Sequence, residues 1–369
     1  MTENNNSKRI CIAIHGLFYA GAERVAAAWC NYLASHGHQV SVVLCAHTDG
    51  EYDLDNRVRV IPLAETVEQY HQMSKLKQLS AIRRAIRREK PQVLISFLPK
   101  MQISVMLATL GMRVKRVETI RNNPWIDTDV GSKRFLWNLC FQRSDVILVQ
   151  TEEQSEYFSE KLKKKCVVIR NPISKSRVDT HKIYGNDRCS GFVALARVSV
   201  QKNYPLMVRA FAQIVQQYPE CTLDIYGAGS PEQIKELHEL IGQLGMEQHV
   251  YLCGWRRDAV DLLTQYDAFL MSSDYEGMPN ALAEAMATGL VCLSTDCKTG
   301  PKDMIDSGKN GYLAKTGDVD SFVQGIETII AMDQRQCAEM GRLARETILD
   351  MCSEENTLAR LKQLIETIV

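Results

Sequence analysis

Along this chain, short runs of consecutive apolar residues alternate with longer stretches in which apolar positions recur at helical spacing. RICIAIHG, QVSVVLCA, VRVIPL, QVLISFL, VKRVETI and DVILVQ, all within the first 150 residues, are nearly continuously apolar. Such runs predict parallel strands buried on both faces, because the crossover helices of a parallel sheet cover each side. The same texture returns in GFVALAR, TLDIYG, VYLCG, AFLMSS and VCLST. Between the two sets, VVIRNPISKSRVDTHKIYGNDRCS loses the pattern, and Asn171-Pro172 breaks the chain. The predicted fold class is α/β, with two doubly wound, Rossmann-like domains at 1–170 and 187–350 and a linker at 171–186. Ligands of open α/β sheets bind outside the carboxyl ends of the strands, so the expected site is a cleft bounded by those ends.

Composition narrows the class without naming a chemistry. With 45% apolar and 24% charged residues, the chain has the balance of a soluble globular enzyme. Its 12 cysteines form no CxxC pair, and most sit in or beside strand-like runs, which predicts free thiols in a reducing compartment. No run reaches the roughly 18 apolar residues of a membrane span, and MTENNNSKR lacks a signal-peptide pattern, so a cytoplasmic location is expected. The net charge is zero, yet residues 1–170 carry an excess of 8 positive charges and the remainder an equal negative excess. One half is therefore expected to face an anionic surface. KLKQLSAIRRAIRREK, residues 75–90, predicts a basic helix with Leu76, Leu79, Ile82 and Ile86 on one side. It reads as a packed surface helix that can also dock on anionic phospholipid.

The candidate chemistry lies at strand ends. SSDYEGMPNALAEAMATG, residues 272–289, follows an apolar strand and places Glu276 before a helix start and Glu284 about one turn inside it. Pro279, lacking an N–H, suits the first helical position. A helix N-terminus favours phosphate, whereas two carboxylates favour hydroxyls. A ligand that carries both groups is a sugar nucleotide. FVALARVSVQKN puts Arg197 and Lys202 just beyond another strand, where two cations can grip a diphosphate. AIHGLFYAGAERVAAAW offers Gly21 at a helix start, though without the G-x-G-x-x-G or GK[ST] of the common nucleotide loops. Gly227 and Gly229, and Trp255 with Arg256, follow further strands; a tight turn and a loop contact account for them equally well. Asp127-Thr128-Asp129 has no further ligand-spaced partner, so no metal is expected there.

Taken in order, AGAER, ARVSVQK, EGMPNALAEAMATG, GPKDMI and NGYLA resemble retaining glycosyltransferase family 4, over nearly the whole chain. Within that family the sequence looks like bacterial transferases that build O-antigen, capsule or N-glycan precursors on a polyprenyl diphosphate lipid. The resemblance implies a GT-B fold, a nucleotide-sugar donor (a UDP-sugar by analogy), no metal cofactor, and peripheral association with the inner face of the plasma membrane. It also implies that a C-terminal helix, 351–369, packs back on the first domain. In the family pattern Arg197 and Lys202 hold the donor diphosphate and Glu276 contacts donor-sugar hydroxyls. Gly277, Met278, Pro279 and Asn280 line the pocket, Glu284 takes the ribose hydroxyls, and Gly21 offers its amide to phosphate. Arg256 is a candidate contact to the base. Two departures stand out: Ala20-Gly21 replaces the usual Gly-Gly, and Arg121, in VETIRNNP, stands where many members have His. Arg121 joins the candidate catalytic set with its role open, since it cannot act as a general base at neutral pH. A sugar-nucleotide epimerase on the same fold and a non-catalytic sugar-nucleotide-binding scaffold are the alternatives.

Overall fold

The computed structural model describes residues 7–18, 21–47, 52–126, 133–173, 181–185, 189–256 and 258–369. Two compact units divide them: Met1–Pro172 with Glu355–Val369, and Ile173–Glu354.

In the first unit seven strands, β1 (Arg9–Ala13), β2 (Gln39–Leu44), β3 (Arg59–Pro62), β4 (Val93–Ser96), β5 (Lys115–Thr119), β6 (Val146–Val149) and β7 (Cys166–Val168), form a sheet of order β3-β2-β1-β4-β5-β6-β7. Every pairing is parallel. Alternation along β1 divides its side chains between two cores: Ile10 and Ile12 point to one face, Cys11 and Ala13 to the other. The C-terminal helix Glu354–Ile368 completes the first of these cores with Leu358, Leu361 and Ile365. Its Glu366 approaches the buried His38 to 3.7 Å.

The second unit holds β8 (Gly191–Leu195), β9 (Thr222–Tyr226), β10 (Val250–Gly254), β11 (Ala268–Met271), β12 (Val291–Thr295) and β13 (Tyr312–Ala314), in the order β10-β9-β8-β11-β12-β13 and again parallel. Both sheets reverse their winding direction once, between β1 and β4 in one unit and between β8 and β11 in the other. A crevice opens at such a reversal because the crossover helices leave toward opposite faces.

The edge strands β7 and β13 were not foreseen. Each has three residues, too few to show a period, and the sequence reading placed them in irregular segments. Part of the expected linker also has definite structure. Within 181–185, Lys182 donates its amide to Thr288 O (2.7 Å) and pairs with Asp267 (3.2 Å), while the Tyr184 hydroxyl accepts from the Val291 amide (2.8 Å). These residues belong to the second unit.

The basic helix spans Lys75–Glu89, capped by the Ser74 hydroxyl. Its buried stripe is Gln78, Ala81, Ile82, Ala85 and Ile86. Leu76, expected on that stripe, is instead 81% exposed, because at 3.6 residues per turn it lies about 120° round the helix from Ile82. Arg83 turns inward and donates to Ala108 O and Leu110 O (2.7 and 3.0 Å), closing the end of the neighbouring helix. Lys75, Lys77, Arg84, Arg87, Arg88 and Lys90 remain exposed around Leu76.

Candidate active site

The winding reversal of the second unit gathers most of the sequence candidates. The chain leaving β8 passes Arg197 and enters a short 3-10 turn, Val200–Lys202; the chain leaving β11 runs Ser272 to Glu276. The two segments are laced together. The Ser272 hydroxyl donates to Lys202 O (2.8 Å), Asn203 Nδ2 to Asp274 Oδ1 (2.8 Å), and the Asp274 amide to Gln201 O (2.9 Å). Asn203 adopts a left-handed conformation, φ 45°, and its side chain caps the helix Tyr204–Gln217. This is a residue type that tolerates such a turn.

At the centre Lys202 Nζ lies 2.5 Å from Glu276 Oε1, with side chains only 16% and 6% exposed. The Ser273 hydroxyl donates to the same oxygen (2.6 Å), and Gln201 Nε2 stands 3.5 Å from Oε2. From the sequence alone the lysine is expected on phosphate and the glutamate on hydroxyls, as separate ligand contacts. The structure joins them directly, since a buried carboxylate needs a cation or several donors. Nζ carries three N–H bonds, so this pairing leaves further donors for a phosphate, and Oε2 keeps acceptor capacity for a hydroxyl.

A third segment braces Glu276 from behind. Thr295 Oγ1 donates to Ser273 O (2.5 Å) and Thr299 Oγ1 to Glu276 O. Thr299 sits at φ 67°, a conformation costly for a β-branched residue and held here by its surroundings. At Gly300 an added Cβ would lie 2.6 Å from Gly277 O. That glycine therefore lets the 297–300 turn approach the Glu276 loop. Gln201, Ser273, Thr295 and Thr299 were missed from sequence, because polar residues near strand ends carry no signal until the register places them together.

The helix that follows begins at Asn280, with Pro279 as its cap residue, one position earlier than expected, and the proline side chain makes no capping hydrogen bond. Gly277, Met278 and Pro279 are buried. Glu284 is 5% exposed, a buried group on this eight-residue helix. Two devices fix the helix. Arg345 donates to Ala287 O at its C-terminus, and Gly341 of the helix Gln334–Cys352 packs so closely that a Cβ there would come within 2.0 Å of Gly289 O. Gly227 has a related role: an added Cβ would meet Ala196 O at 1.8 Å, so the glycine admits the backbone that carries Arg197. Close packing, not a tight turn, accounts for it. Arg197 itself is exposed and has no hydrogen-bond or ion-pair partner among the described residues.

Arg256 is not brought into this group. It lies beyond β10, at the sheet edge, with its guanidinium committed to Asp258 (2.7 and 2.9 Å). Asp127 and Asp129 lie outside the described residues, and no cluster of metal-ligating side chains occurs among those described.

The remaining candidates belong to the first unit. Gly21 is the first residue of the helix Gly21–Ser35. Arg121 follows β5, and its guanidinium packs on Trp29 and Phe97, 4.6 and 5.0 Å from the ring centroids. Nη1 donates to Asn171 Oδ1 (2.9 Å), which also accepts from Gln150 Nε2 (2.8 Å). Nε and Nη2 are shielded from solvent and have no hydrogen-bond partner among the described residues.

Comparison with known proteins agrees with this layout. The chain is 30% identical over 252 residues to an uncharacterized glycosyltransferase of Methanocaldococcus jannaschii, a match spanning 62% of each chain. It is 24% identical over 356 residues to the lipopolysaccharide core biosynthesis glycosyltransferase LpsE of Rhizobium meliloti, covering 94% of this chain and 95% of that one. Among solved structures, HepE of Anabaena, crystallised with UDP and glucose, superposes with a TM-score of 0.79 at 18% identity, covering 97% and 99% of the two chains; it shares the GT-B fold. Residues 19–177 match the model for Glycosyltransferase Family 4 and residues 190–332 that for Glycosyl transferases group 1. Between them the two matches take in most of both sheets, and the chain belongs to this family of glycosyltransferases.

Proposed function

We propose that this protein is a retaining, metal-independent glycosyltransferase that moves a hexose or N-acetylhexosamine from a nucleotide diphosphate sugar, with UDP favoured, to a polyprenyl-diphosphate-linked oligosaccharide in bacterial surface glycan synthesis. The observation that carries the reading is the Lys202–Glu276 pair at the winding reversal of the second sheet. Lys202 and the exposed Arg197 would neutralise the departing diphosphate. Glu276, already oriented by Ser273 and Lys202, would accept from donor-sugar hydroxyls, and Glu284 from the ribose. The helix start at Asn280, with Gly277, Met278 and Pro279 before it, suits the phosphate and sugar. In this scheme no side chain is a nucleophile: the acceptor hydroxyl enters on the leaving-group side, the diphosphate helps take its proton, and catalysis rests on positioning and charge stabilisation.

The LpsE likeness supports a role in surface glycans, and HepE, solved with UDP and glucose, supports the donor class. The exposed cations of the helix Lys75–Glu89, with Leu76 among them, support peripheral contact with the anionic inner leaflet, where a lipid-linked acceptor resides. The test is transfer from a panel of UDP- and GDP-sugars to a synthetic polyprenyl-diphosphate oligosaccharide, with EDTA present and product anomers assigned by NMR. Retention with a UDP-sugar is the expected result. Conversion of donor without acceptor would indicate an epimerase, and donor binding with no transfer a scaffold.

A further inference from the structure

The first unit repeats the winding reversal of the second, and one strand beyond it, after β5, stands a cation that lacks a counter-charge among the described residues. The residues that orient Arg121 each come from a segment that follows a strand. Trp29 lies on the helix after β1, Phe97 directly follows β4, Gln150 follows β6 and Asn171 follows β7. The rings hold the face of the guanidinium, and the buried amides of Gln150 and Asn171 fix one edge through Nη1. Gln150 is held in turn, its backbone N–H donating to Gln154 Oε1 (2.7 Å). The opposite edge, Nε and Nη2, has no acceptor among the described residues.

Nε and one Nη form the two-pronged edge that meets a carboxylate or phosphate in parallel hydrogen bonds. Leaving such an edge buried and unmet is costly. A purely structural arginine would be expected to meet protein carbonyls or a carboxylate there, as Arg83 and Arg345 do with carbonyls. No acid of the described residues offsets the burial, which by itself pulls the guanidinium down to about 9 and leaves it charged at neutral pH.

We propose that Arg121, positioned by Asn171 and Gln150, is an oxyanion-holding residue of the first unit whose Nε/Nη2 edge binds two oxygens of a phosphoryl group on a substrate. The identity of that oxyanion rests on the diphosphate-sugar transferase reading above; the existence of the site does not. Two sources share the chemistry, the diphosphate of the nucleotide donor and that of the isoprenoid acceptor.

The experiment is calorimetric titration of the full chain, wild type and Arg121→Met, with inorganic pyrophosphate, UDP and farnesyl diphosphate. Pyrophosphate affinity should fall at least about tenfold in the variant, the loss of one or two charge-assisted bonds. The nucleotide or the isoprenoid whose affinity falls with it identifies the source. Should Arg121→Met fail to fold, Arg121→Lys carries the test, since it keeps the stem and the charge but loses the fork. Unchanged affinity for all three ligands in a folded variant would overturn the proposal. Lys202→Met separates the two readings: if it leaves UDP affinity intact while Arg121→Met weakens pyrophosphate, the donor assignment fails and the Arg121 site stands.

Discussion

The two sheets solve the same topological problem with opposite electrostatics. At the β8/β11 reversal the buried charge is paired: Lys202 and Glu276 neutralise each other, and Ser273 and Gln201 donate to the carboxylate. At the corresponding end of the first sheet, Arg121 is oriented by rings and amides but not neutralised. The paired site is stable without ligand and can exchange partners when one arrives. The unpaired site stores an unfavourable free energy that a ligand would relieve. Burial alone does not distinguish them, since both groups are enclosed; the presence of a counter-charge does.

The largest expected effect is on turnover. Lys202→Ala or Arg197→Ala should lower kcat on the order of 10²-fold or more, by removing a preorganised cation at the leaving group. Near-normal rates in both variants would remove the second unit's site from the chemistry.

Stability of the ligand-free protein should then move in opposite directions at the two sites. Lys202→Met strands a buried carboxylate and should cost about 3 kcal/mol. Arg121→Met keeps the packing on Trp29 and Phe97 while removing an unpaired buried charge, and should leave stability unchanged or raise it by up to about 2 kcal/mol. Urea unfolding of the two variants beside wild type reads both. A shared loss of stability would erase the contrast.

A smaller effect concerns Glu118, on β5, with one oxygen accepting from Ser96 (2.8 Å) and the other unpartnered among the described residues. Burial pushes its carboxyl up to about 8. The folded protein therefore holds a proton that the unfolded chain releases above about 4.5. Stability from this group is complete below that pH and falls as pH rises toward 8, by at most about 1.4 kcal/mol per unit. Glu118→Gln should flatten that slope in urea melts at pH 5, 6.5 and 8; an unaltered slope would show that Glu118 is charged in the fold.

The smallest lies at His38. Burial lowers its pKa against the opposing pull of Glu366. Its contribution is present above about 6.5 and is lost as pH falls through the lowered value, so His38→Gln should lessen the acid-side loss of stability by under about 1 kcal/mol. A profile identical to wild type below pH 6 would count against the assignment.

Continuous apolar runs and the residue types that follow them are local properties, so the parallel α/β class, eleven of the described strands, and Glu276, Glu284, Arg197 and Lys202 as candidates were legible along the chain. It did not show β7 or β13, where three residues hold no period, nor the inward turn of Arg83 and the exposure of Leu76, which depend on where the helix meets its sheet. Which side chains pair is set by the packing of distant segments. Lys202 and Glu276 are 74 positions apart and meet through the adjacency of β8 and β11. Arg256, similar to Arg197 in sequence context, is set apart at the sheet edge and engaged by Asp258. The open edge of Arg121 was equally invisible, because a missing partner is a property of the packed surroundings and not of the residue.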